Sequence, residues 1–242
     1  MIPAPREISL DARLSLACDL YDPCVLAADI GTDHAHLPAA LLQRGRCQKM
    51  ILTDLSPDAL ENARQTMIRY HLLPRVSLRM GDGLRPLSEA CGMISIMGMG
   101  GRTIREILIS GQSALRGASL LLSAHTDLPL IREALREIGY HPDREEPCLC
   151  AGRFYLVIRA RPGSMAWSER EIRIGGPLFS SASPALLPYL SRRREVLAVR
   201  LEGMRQAGNA DAETLATLEE DLAYYDRFLE AHHDSTGNSS SH

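Results

Sequence analysis

Residues 27–38 read AADIGTDHAHLP and join the end of an apolar run to a glycine turn and the start of a helical pattern. The run ends at Asp29, and Gly31 follows where nucleotide-binding α/β folds make their tight turn from the first strand into a helix. The later glycines of such a turn are missing, because Asp33 and Ala35 stand at the two alternate positions that follow Gly31. The stretch therefore predicts a nucleotide-binding turn whose ligand is not a dinucleotide.

Similar apolar runs recur along the chain and alternate with helical patterns. They occupy residues 24–29, 49–54, 75–82, 93–98 and 119–124. This alternation predicts a parallel, doubly wound sheet that is covered on both faces. A short helix capped by Ser9 and ended by Pro23 is expected before the first strand.

After a predicted helix at 127–139 the pattern changes. Residues 144–150 and 153–160 flank Ala151 and Gly152, which predicts a β-hairpin instead of another crossover. Parallel strands closed by a terminal antiparallel hairpin are the arrangement of class I methyltransferases. We therefore assign residues 1–162 to an α/β catalytic domain with a Rossmann-like sheet.

The remaining residues predict a helical appendage. Residues 163–185 have the proline, glycine and serine content of a linker, and 186–233 predict an antiparallel helical hairpin of coiled-coil type. Its apolar seams comprise Leu187, Leu190, Leu197, Leu201 and Met204 on one helix and Leu215, Leu218, Leu222, Tyr225 and Leu229 on the other. Residues 234–242 are low in apolar content and are expected to be disordered.

Composition limits the functional classes. The 242 residues carry a net charge of −3, which argues against a protein that coats nucleic acid by bulk charge, although a local basic face fits this value. No apolar stretch is long enough to cross a bilayer and no secretory signal is recognised, so we expect a cytoplasmic protein. The six cysteines are scattered, which favours free thiols over a zinc site.

Carboxylates at the predicted strand ends indicate the cofactor. Asp33 would repel a pyrophosphate but attract a sulfonium or an ammonium group, which favours S-adenosylmethionine over NAD; a helix-cap role is the alternative and the two can coexist. Asp54 lies 23 residues beyond Gly31, where an acid commonly binds both ribose hydroxyls, although it can also cap the next helix. Asp82 stands where a side chain can recognise the adenine amino group.

The glycine-rich stretch MGMGG at 97–101 follows the fourth strand. It predicts either a tight turn or a thin backbone wall against which a planar base approaches the methyl group. Arg102 and Arg105 follow, as phosphate ligands or as a solvated helix face. His34 and His36 have no third ligand nearby, so we expect no metal; His34 is interpreted as shaping the cofactor turn, with a general-base role as the alternative.

The ordered motifs resemble those of bacterial tRNA (adenine(22)-N1)-methyltransferases over nearly the whole chain. They are ADIGTDHAHLP, GDGL, GMGGRTI, IREALREIGY, the pair EE before the hairpin, GRFYLVI and GGPLF. The resemblance implies an S-adenosylmethionine-dependent enzyme that methylates N1 of an adenine in tRNA. It places Asp29, Gly31, Asp33, His34, Asp54, Asp82, Gly98, Met99 and Gly100 around the cofactor and the target base.

We extend these positions to a full predicted site. The cofactor residues are Asp29, Gly31, Thr32, Asp33, His34, Leu37, Asp54, Leu55, Asp82, Gly83, Met97 and Gly98. Catalytic roles are assigned to Asp33, His34, Gly98, Met99 and Gly100, and substrate contacts to Gly100, Gly101, Arg102, Arg192, Arg193 and Arg194. For the last three arginines, the alternative is a solvated coiled-coil face.

The chain departs from the family pattern at three places. His36 replaces the usual tyrosine, Asp54 replaces a "GE" step, and SAHTD at 123–127 replaces residues like QPN at the substrate mouth. Rival functions are a small-molecule methyltransferase, an NAD-dependent oxidoreductase and a non-catalytic tRNA-binding protein. The hairpin seam closes within one chain or between two, so we expect a monomer or a weak dimer.

Overall fold

The computed structural model describes residues 7–208 and 210–237, with side chains described as far as residue 232. The chain folds into two compact units, Met1–Ser181 and Ala182–His242. The first unit contains a seven-stranded sheet, and the second contains two long helices.

The sheet has the strand order β3-β2-β1-β4-β5-β7-β6. Its strands are β1 Cys24–Ile30, β2 Cys47–Asp54, β3 Val76–Met80, β4 Met93–Met99, β5 Ser119–Ala124, β6 Tyr140–Cys150 and β7 Arg153–Pro162. Strands β1 to β5 are parallel, and β7 runs antiparallel to both β5 and β6. The predicted parallel sheet with a closing hairpin is confirmed.

The helices in chain order are α1 Ala12–Leu20, α2 His36–Gln43, α3 Pro57–Arg69, α4 Gly101–Ser110, α5 Gln112–Leu115, α6 Leu128–Glu137, α7 Glu169–Ile174, α8 Leu186–Ala207 and α9 Ala212–Gly237. The last two belong to the second unit. Helix α2 packs against α1 and α3, whereas α6 packs against α4 and α7. The central strands β1, β4 and β5 contain runs of four or more consecutive buried residues, because both faces of the sheet are covered.

The N-cap residue of the first helix lies two residues after the predicted one. Asp11, not Ser9, is its N-cap residue, and the Asp11 carboxylate accepts a hydrogen bond of 2.8 Å from the backbone N–H of Leu14. The carboxylate thus satisfies an N–H group that the first turn of a helix leaves without an intrahelical partner. The helix ends at Leu20, before Pro23 as predicted.

The predicted linker is largely folded. Within 163–185, α7 and a single 3-10 turn at Pro177–Ser180 bury Ile172, Ile174 and Leu178. A capping box between Ser168 and Glu171 starts α7. The glycines and prolines mark breaks between these short elements, so the first unit continues to residue 181 and not only to 162.

The second unit is the predicted antiparallel helical hairpin. Arg194 pairs with Asp226 and Arg205 pairs with Glu219, so α8 and α9 run in opposite directions. Leu190, Leu201, Leu218 and Tyr225 are buried along the predicted seam. Helix α9 extends to Gly237 and so includes the first four residues of the predicted tail, whereas 238–242 lie outside the described residues.

Candidate functional site

The crevice lies at the carboxyl edge of the parallel strands and comprises two cavities of about 220 Å³ each. Predicted residues that line the first cavity are Asp29, Gly31, Thr32, Asp33, His34, Leu37, Met97 and Gly98. Those that line the second are Gly31, Asp54, Leu55, Asp82, Gly83 and Met99. Because Gly31 lines both, the two cavities meet at the turn after β1.

The turn after β1 has a left-handed backbone at three residues. Gly31, Asp33 and Ala35 have φ of 72°, 40° and 54°, and Ala35 is the N-cap residue of α2 without a side-chain hydrogen bond. The interpretation of Asp33 as a helix cap is therefore wrong. Its side chain is 65% exposed and lies 3.7 Å from Nε2 of His34, so the Asp33 carboxylate is open to a ligand in the first cavity.

Asp29 is the buried acid of the first cavity. It is only 7% exposed, and the Ser95 hydroxyl donates a hydrogen bond of 2.5 Å to its carboxylate. Burial raises the pKa of Asp29 to about 6, and the hydrogen bond from Ser95 opposes this rise. A buried carboxylate of this kind is stabilised when a cationic ligand enters the cavity.

The close packing of Met99 on Gly31 lies where the two cavities meet. A Cβ atom at Gly31 would overlap Cε of Met99. Met99 ends β4, whose pairing with β5 shifts between Met97 and Met99, and the intervening Gly98 has φ of 79°. A glycine at position 31 adopts this left-handed backbone at little cost and leaves the Met99 side chain in place, whereas a larger residue would displace the end of that side chain.

The second cavity combines acidic and apolar groups. Asp54 accepts a hydrogen bond of 2.8 Å from the Ser56 backbone N–H, while Ser56 itself is the N-cap of α3, so the capping interpretation of Asp54 is wrong. Asp82 lies 3.4 Å from a guanidinium nitrogen of Arg85. Leu55 is 66% exposed beside these acids and offers an apolar surface to a planar ring.

These groups fit S-adenosylmethionine. The buried hydroxyl oxygen of Thr53, which lines the second cavity, has no hydrogen-bond partner among the described residues. A buried polar atom without a partner carries a free-energy cost that a bound ligand can remove. The acids Asp54 and Asp82 suit ribose hydroxyls and an adenine amino group, and those of the first cavity suit an ammonium and a sulfonium.

The predicted substrate residues do not line either of the two cavities. Gly100 is the N-cap of α4, and Gly101 is buried against the backbone carbonyls of Thr126 and Asp127. Arg102 is exposed in the first turn of α4. Arg192, Arg193 and Arg194 lie on α8 in the second unit, where Arg192 pairs with Glu195 at 3.0 Å and Arg194 with Asp226 at 2.8 Å.

Three residues that were not predicted as site residues lie in or next to the lining of the first cavity. The guanidinium carbon of Arg13 lies 5.2 Å from the ring centroid of Tyr155, and the His125 and Tyr155 ring centroids are 5.9 Å apart. Arg13 also lines the first cavity. Tyr155 and His125 fall within the motifs GRFYLVI and SAHTD, but Arg13 lies in the short helix before the first strand, to which no site residue was assigned.

The fold and the two-part crevice define a class I methyltransferase. Residues 10–158 match the model of the family described as "Methyltransferase domain", and the chain belongs to this family. The match covers the whole sheet except the last residues of β7.

Relatives of known identity are similar over most of the chain. The tRNA (adenine(22)-N(1))-methyltransferase of Bacillus subtilis (strain 168) is 27% identical over 194 residues, which is 79% of each chain. A candidate tRNA (m1A22) methyltransferase from Streptococcus pneumoniae, solved in complex with S-adenosyl-L-methionine, is 25% identical, with a TM-score of 0.79 over 91% of this chain and all of that one. The crystal structure of the B. subtilis m1A22 tRNA methyltransferase TrmK gives 24% identity and a TM-score of 0.80 over 92% and 100%. The predicted resemblance to this group is confirmed.

Two kinds of feature are absent from the described residues, a membrane-spanning helix and a cluster of metal ligands. No helix there is long and apolar enough to cross a membrane. Nor do three or more histidine, cysteine, aspartate or glutamate side chains cluster there in a way that could hold a metal ion.

Proposed function

We propose that the protein transfers a methyl group from S-adenosylmethionine to N1 of an adenine in tRNA, at position 22 as in its B. subtilis relative. The observation that carries the proposal is the pair of acid-lined cavities that meet at Gly31. They lie at the carboxyl edge of the sheet. The fold matches that of the S. pneumoniae protein solved in complex with S-adenosyl-L-methionine. S-adenosylmethionine, when bound, supplies an electrophilic methyl group on a sulfonium.

The residues of the first cavity hold the positively charged part of the cofactor. Asp33 and Asp29 attract the ammonium and sulfonium groups, and the left-handed turn from Gly31 to Ala35 sets the position of Asp33. His34 lies against Asp33 and shapes the same turn. The carboxylates thus serve binding and orientation.

The residues of the second cavity hold the adenosine part. Asp54 would accept hydrogen bonds from the ribose hydroxyls, and Asp82 would accept one from the adenine amino group. Leu55 would pack against the adenine ring. Thr53 offers its unpartnered hydroxyl to the same ligand. These residues would hold the adenosine part of the cofactor, while Gly98 lines the first cavity and Met99 the second.

The target nitrogen needs positioning more than proton removal. N1 of adenine has its own lone pair, so the protein contributes mainly by holding the base in line with the methyl group. Gly98 near the end of β4 and Gly100 directly after it have no side chains, which lets a planar base approach this part of the backbone. No general base is required, and His34 is not assigned that role.

The substrate edge of adenine is paired in a duplex, so the base must be exposed or flipped before it reacts. We assign the grip on the tRNA body to α8, with Arg192, Arg193 and Arg194 contacting phosphates. The proposal places the protein in the cytoplasm with its tRNA substrate, as a monomer or a weak dimer.

The test is methylation of unmodified tRNA transcripts. The protein is incubated with S-adenosylmethionine and tRNA, and nuclease fragments are analysed by mass spectrometry. We expect 1-methyladenosine at position 22, and none in a control transcript with guanosine there. Methylation at another position would keep the enzyme class and reject the site. Binding of S-adenosylhomocysteine without any methyl transfer would reject tRNA as the substrate.

A further inference from the structure

The first strand residues of β7 lie at the edge of the sheet that carries the crevice. Leu122 of β5 pairs with Ile158 of the antiparallel β7. Extending this register by three residues brings Tyr155 opposite His125, directly after the end of β5. The Tyr155 ring is only partly buried and lies against Arg13, which lines the first cavity.

His125 connects Tyr155 to the end of β4. Its Nε2 lies 3.0 Å from the Gly98 carbonyl oxygen, and because a carbonyl only accepts, Nε2 carries the proton and donates. The His125 backbone N–H donates to the Met99 carbonyl at 3.0 Å. The imidazole ring then meets the edge of Tyr155 at an interplanar angle of 68°. Two hydrogen bonds and a ring contact thus fix Tyr155 relative to the predicted approach path of the target base.

Arg13 covers the same aromatic ring from the side of α1. Its guanidinium lies over the ring of Tyr155, and a Cβ atom at Gly98 would be 3.9 Å from an Arg13 nitrogen. Arg13 forms no ion pair with any residue in the described parts of the chain. The arginine is therefore held by a cation–π contact that a ligand can replace.

We propose that Tyr155 is the surface on which the target adenine stacks. His125 sets the position of this ring, and Arg13 leaves it to bind a phosphate of the same nucleotide. The proposal rests on the proposed function, because it specifies how that activity receives its base. The chemistry is complementary: aromatic rings stack on bases of any identity, and a guanidinium binds phosphate in a bidentate manner.

The stacking role is tested by removing the ring and then restoring it. Truncation in Tyr155→Leu is expected to lower kcat/KM for tRNA by about ten- to a hundredfold, the range typical of a lost base–aromatic stack. The Kd of S-adenosylhomocysteine should stay unchanged. Tyr155→Phe should keep most of the wild-type kcat/KM because it keeps an aromatic ring. Equal loss in the Leu and Phe variants, or no loss in either, would overturn the proposal.

A direct readout of stacking supplements the kinetics. With 2-aminopurine at the target position of the tRNA, binding to the wild-type protein should quench its fluorescence, and the Tyr155→Leu protein should quench it less. Tyr155→Thr is a second truncation that suits a strand, in case the Leu variant does not fold. If both truncations fold and quench as strongly as the wild type, Tyr155 is not the stacking surface.

The role of Arg13 is tested against the alternative that it binds the cofactor carboxylate in the first cavity. Arg13→Ala should raise KM for tRNA and reduce its salt dependence by about one phosphate contact, with an unchanged Kd for S-adenosylhomocysteine. Arg46→Ala, at the opposite edge of the sheet before β2, is the matched control. A weakened Kd for S-adenosylhomocysteine would assign Arg13 to the cofactor and overturn its assignment to the tRNA.

These outcomes are separable from failure of the proposed function. If the wild-type protein methylates no tRNA, the proposed function fails before any variant is compared. If the wild type methylates tRNA and the Tyr155 and Arg13 variants match it, only the inference fails.

Discussion

At the scale of single residues, the crevice is defined by carboxylates whose environments differ. Asp29 is buried and hydrogen-bonded to Ser95, whereas Asp33 is exposed beside His34. Burial raises the pKa of Asp29 to about 6, so this acid changes charge near neutral pH. The proposed cofactor site is therefore expected to respond to pH through Asp29.

Cofactor binding should strengthen as the pH rises through about 6. Below that pH Asp29 binds a proton, and a cationic ligand must displace it, so the Kd of S-adenosylmethionine should weaken by up to about tenfold per pH unit. Calorimetric titration from about pH 5 to about pH 8 measures this. Asp29→Asn should bind weakly and without the inflection, and Ser95→Ala should move it to higher pH because a hydrogen bond to the carboxylate is lost. An inflection unchanged in Asp29→Asn would assign it to another group.

The raised pKa of Asp29 has the opposite effect on the stability of the fold, which it lowers as the pH rises. Because the pKa of Asp29 is raised from its ordinary value of 3.8 to about 6, the native state binds its proton more tightly than the unfolded state does. This group therefore contributes stability that is present at low pH and is lost as the pH rises towards about 6. Asp29→Asn should flatten that part of the dependence of unfolding free energy on pH.

Gly31→Ala should impair both folding and binding. The left-handed backbone costs an alanine about 1–2 kcal/mol, and its Cβ would also overlap the Met99 side chain. Gly45→Ala is the matched control, since Gly45 has φ of 66° and no other atom within 4 Å of its Cβ position. Denaturant unfolding should show a loss of stability in both variants, at least as large in Gly31→Ala, and S-adenosylhomocysteine titration should show a loss of affinity only in Gly31→Ala. Unchanged affinity in Gly31→Ala would argue against a cofactor crossing this turn.

At the scale of secondary-structure elements, a buried ion pair fixes the segment that follows β7. Arg132 of α6 forms two hydrogen bonds, at 2.7 and 3.0 Å, with Glu145 of β6, and donates to the Ile172 carbonyl of α7 at 3.2 Å. A Cβ at Gly175 would overlap the Glu145 carboxylate, and Ser181 donates a hydrogen bond to Glu146. The motif pair EE and GGPLF thus serves to hold this segment on the first unit.

Arg132→Ala should destabilise the first unit strongly. It leaves the Glu145 carboxylate buried without its partner, which typically costs about 3–5 kcal/mol. Arg136→Ala is the control, because Arg136 lies on the same helix and pairs with Glu169 at the surface, where a pair contributes about 0–1 kcal/mol. Urea unfolding of both variants measures the difference. Similar losses would mean that Glu145 regains water or a proton in the variant.

At the scale of the whole molecule, tRNA affinity should depend on the charge of α8. Reversal in the double variant Arg192→Glu and Arg193→Glu should weaken tRNA binding and reduce the salt slope of log Kd by roughly 0.7–0.9 per lost phosphate contact. Arg194 is left intact because its pairing with Asp226 joins α8 to α9. Filter binding at several salt concentrations measures both quantities, with Arg46→Glu as the control. An unchanged salt slope would leave these arginines as a solvated helix face.

Most of the fold follows from local sequence patterns. The five parallel strands fall on the predicted apolar runs, and the hairpin of α8 and α9 follows from leucine spacing, with Gly208 at the end of α8. The grouping of the predicted acids around the two cavities also follows, since each lies at or just after the end of a parallel strand and these strands end at one edge. The prediction of a linker at 163–185 was wrong, because the glycines and prolines there separate short elements that bury apolar side chains.

The sequence by itself determined the sheet, its closing hairpin and the acids at the strand ends, because these depend on periodicity and on order along the chain. Only the tertiary structure decided which distant residues meet. Arg13, His125 and Tyr155 come from α1, the loop after β5 and β7, and the pKa of Asp29 depends on burial by the whole sheet. Contacts between elements far apart in sequence leave no periodic trace, so packing alone places these side chains at the mouth of the crevice.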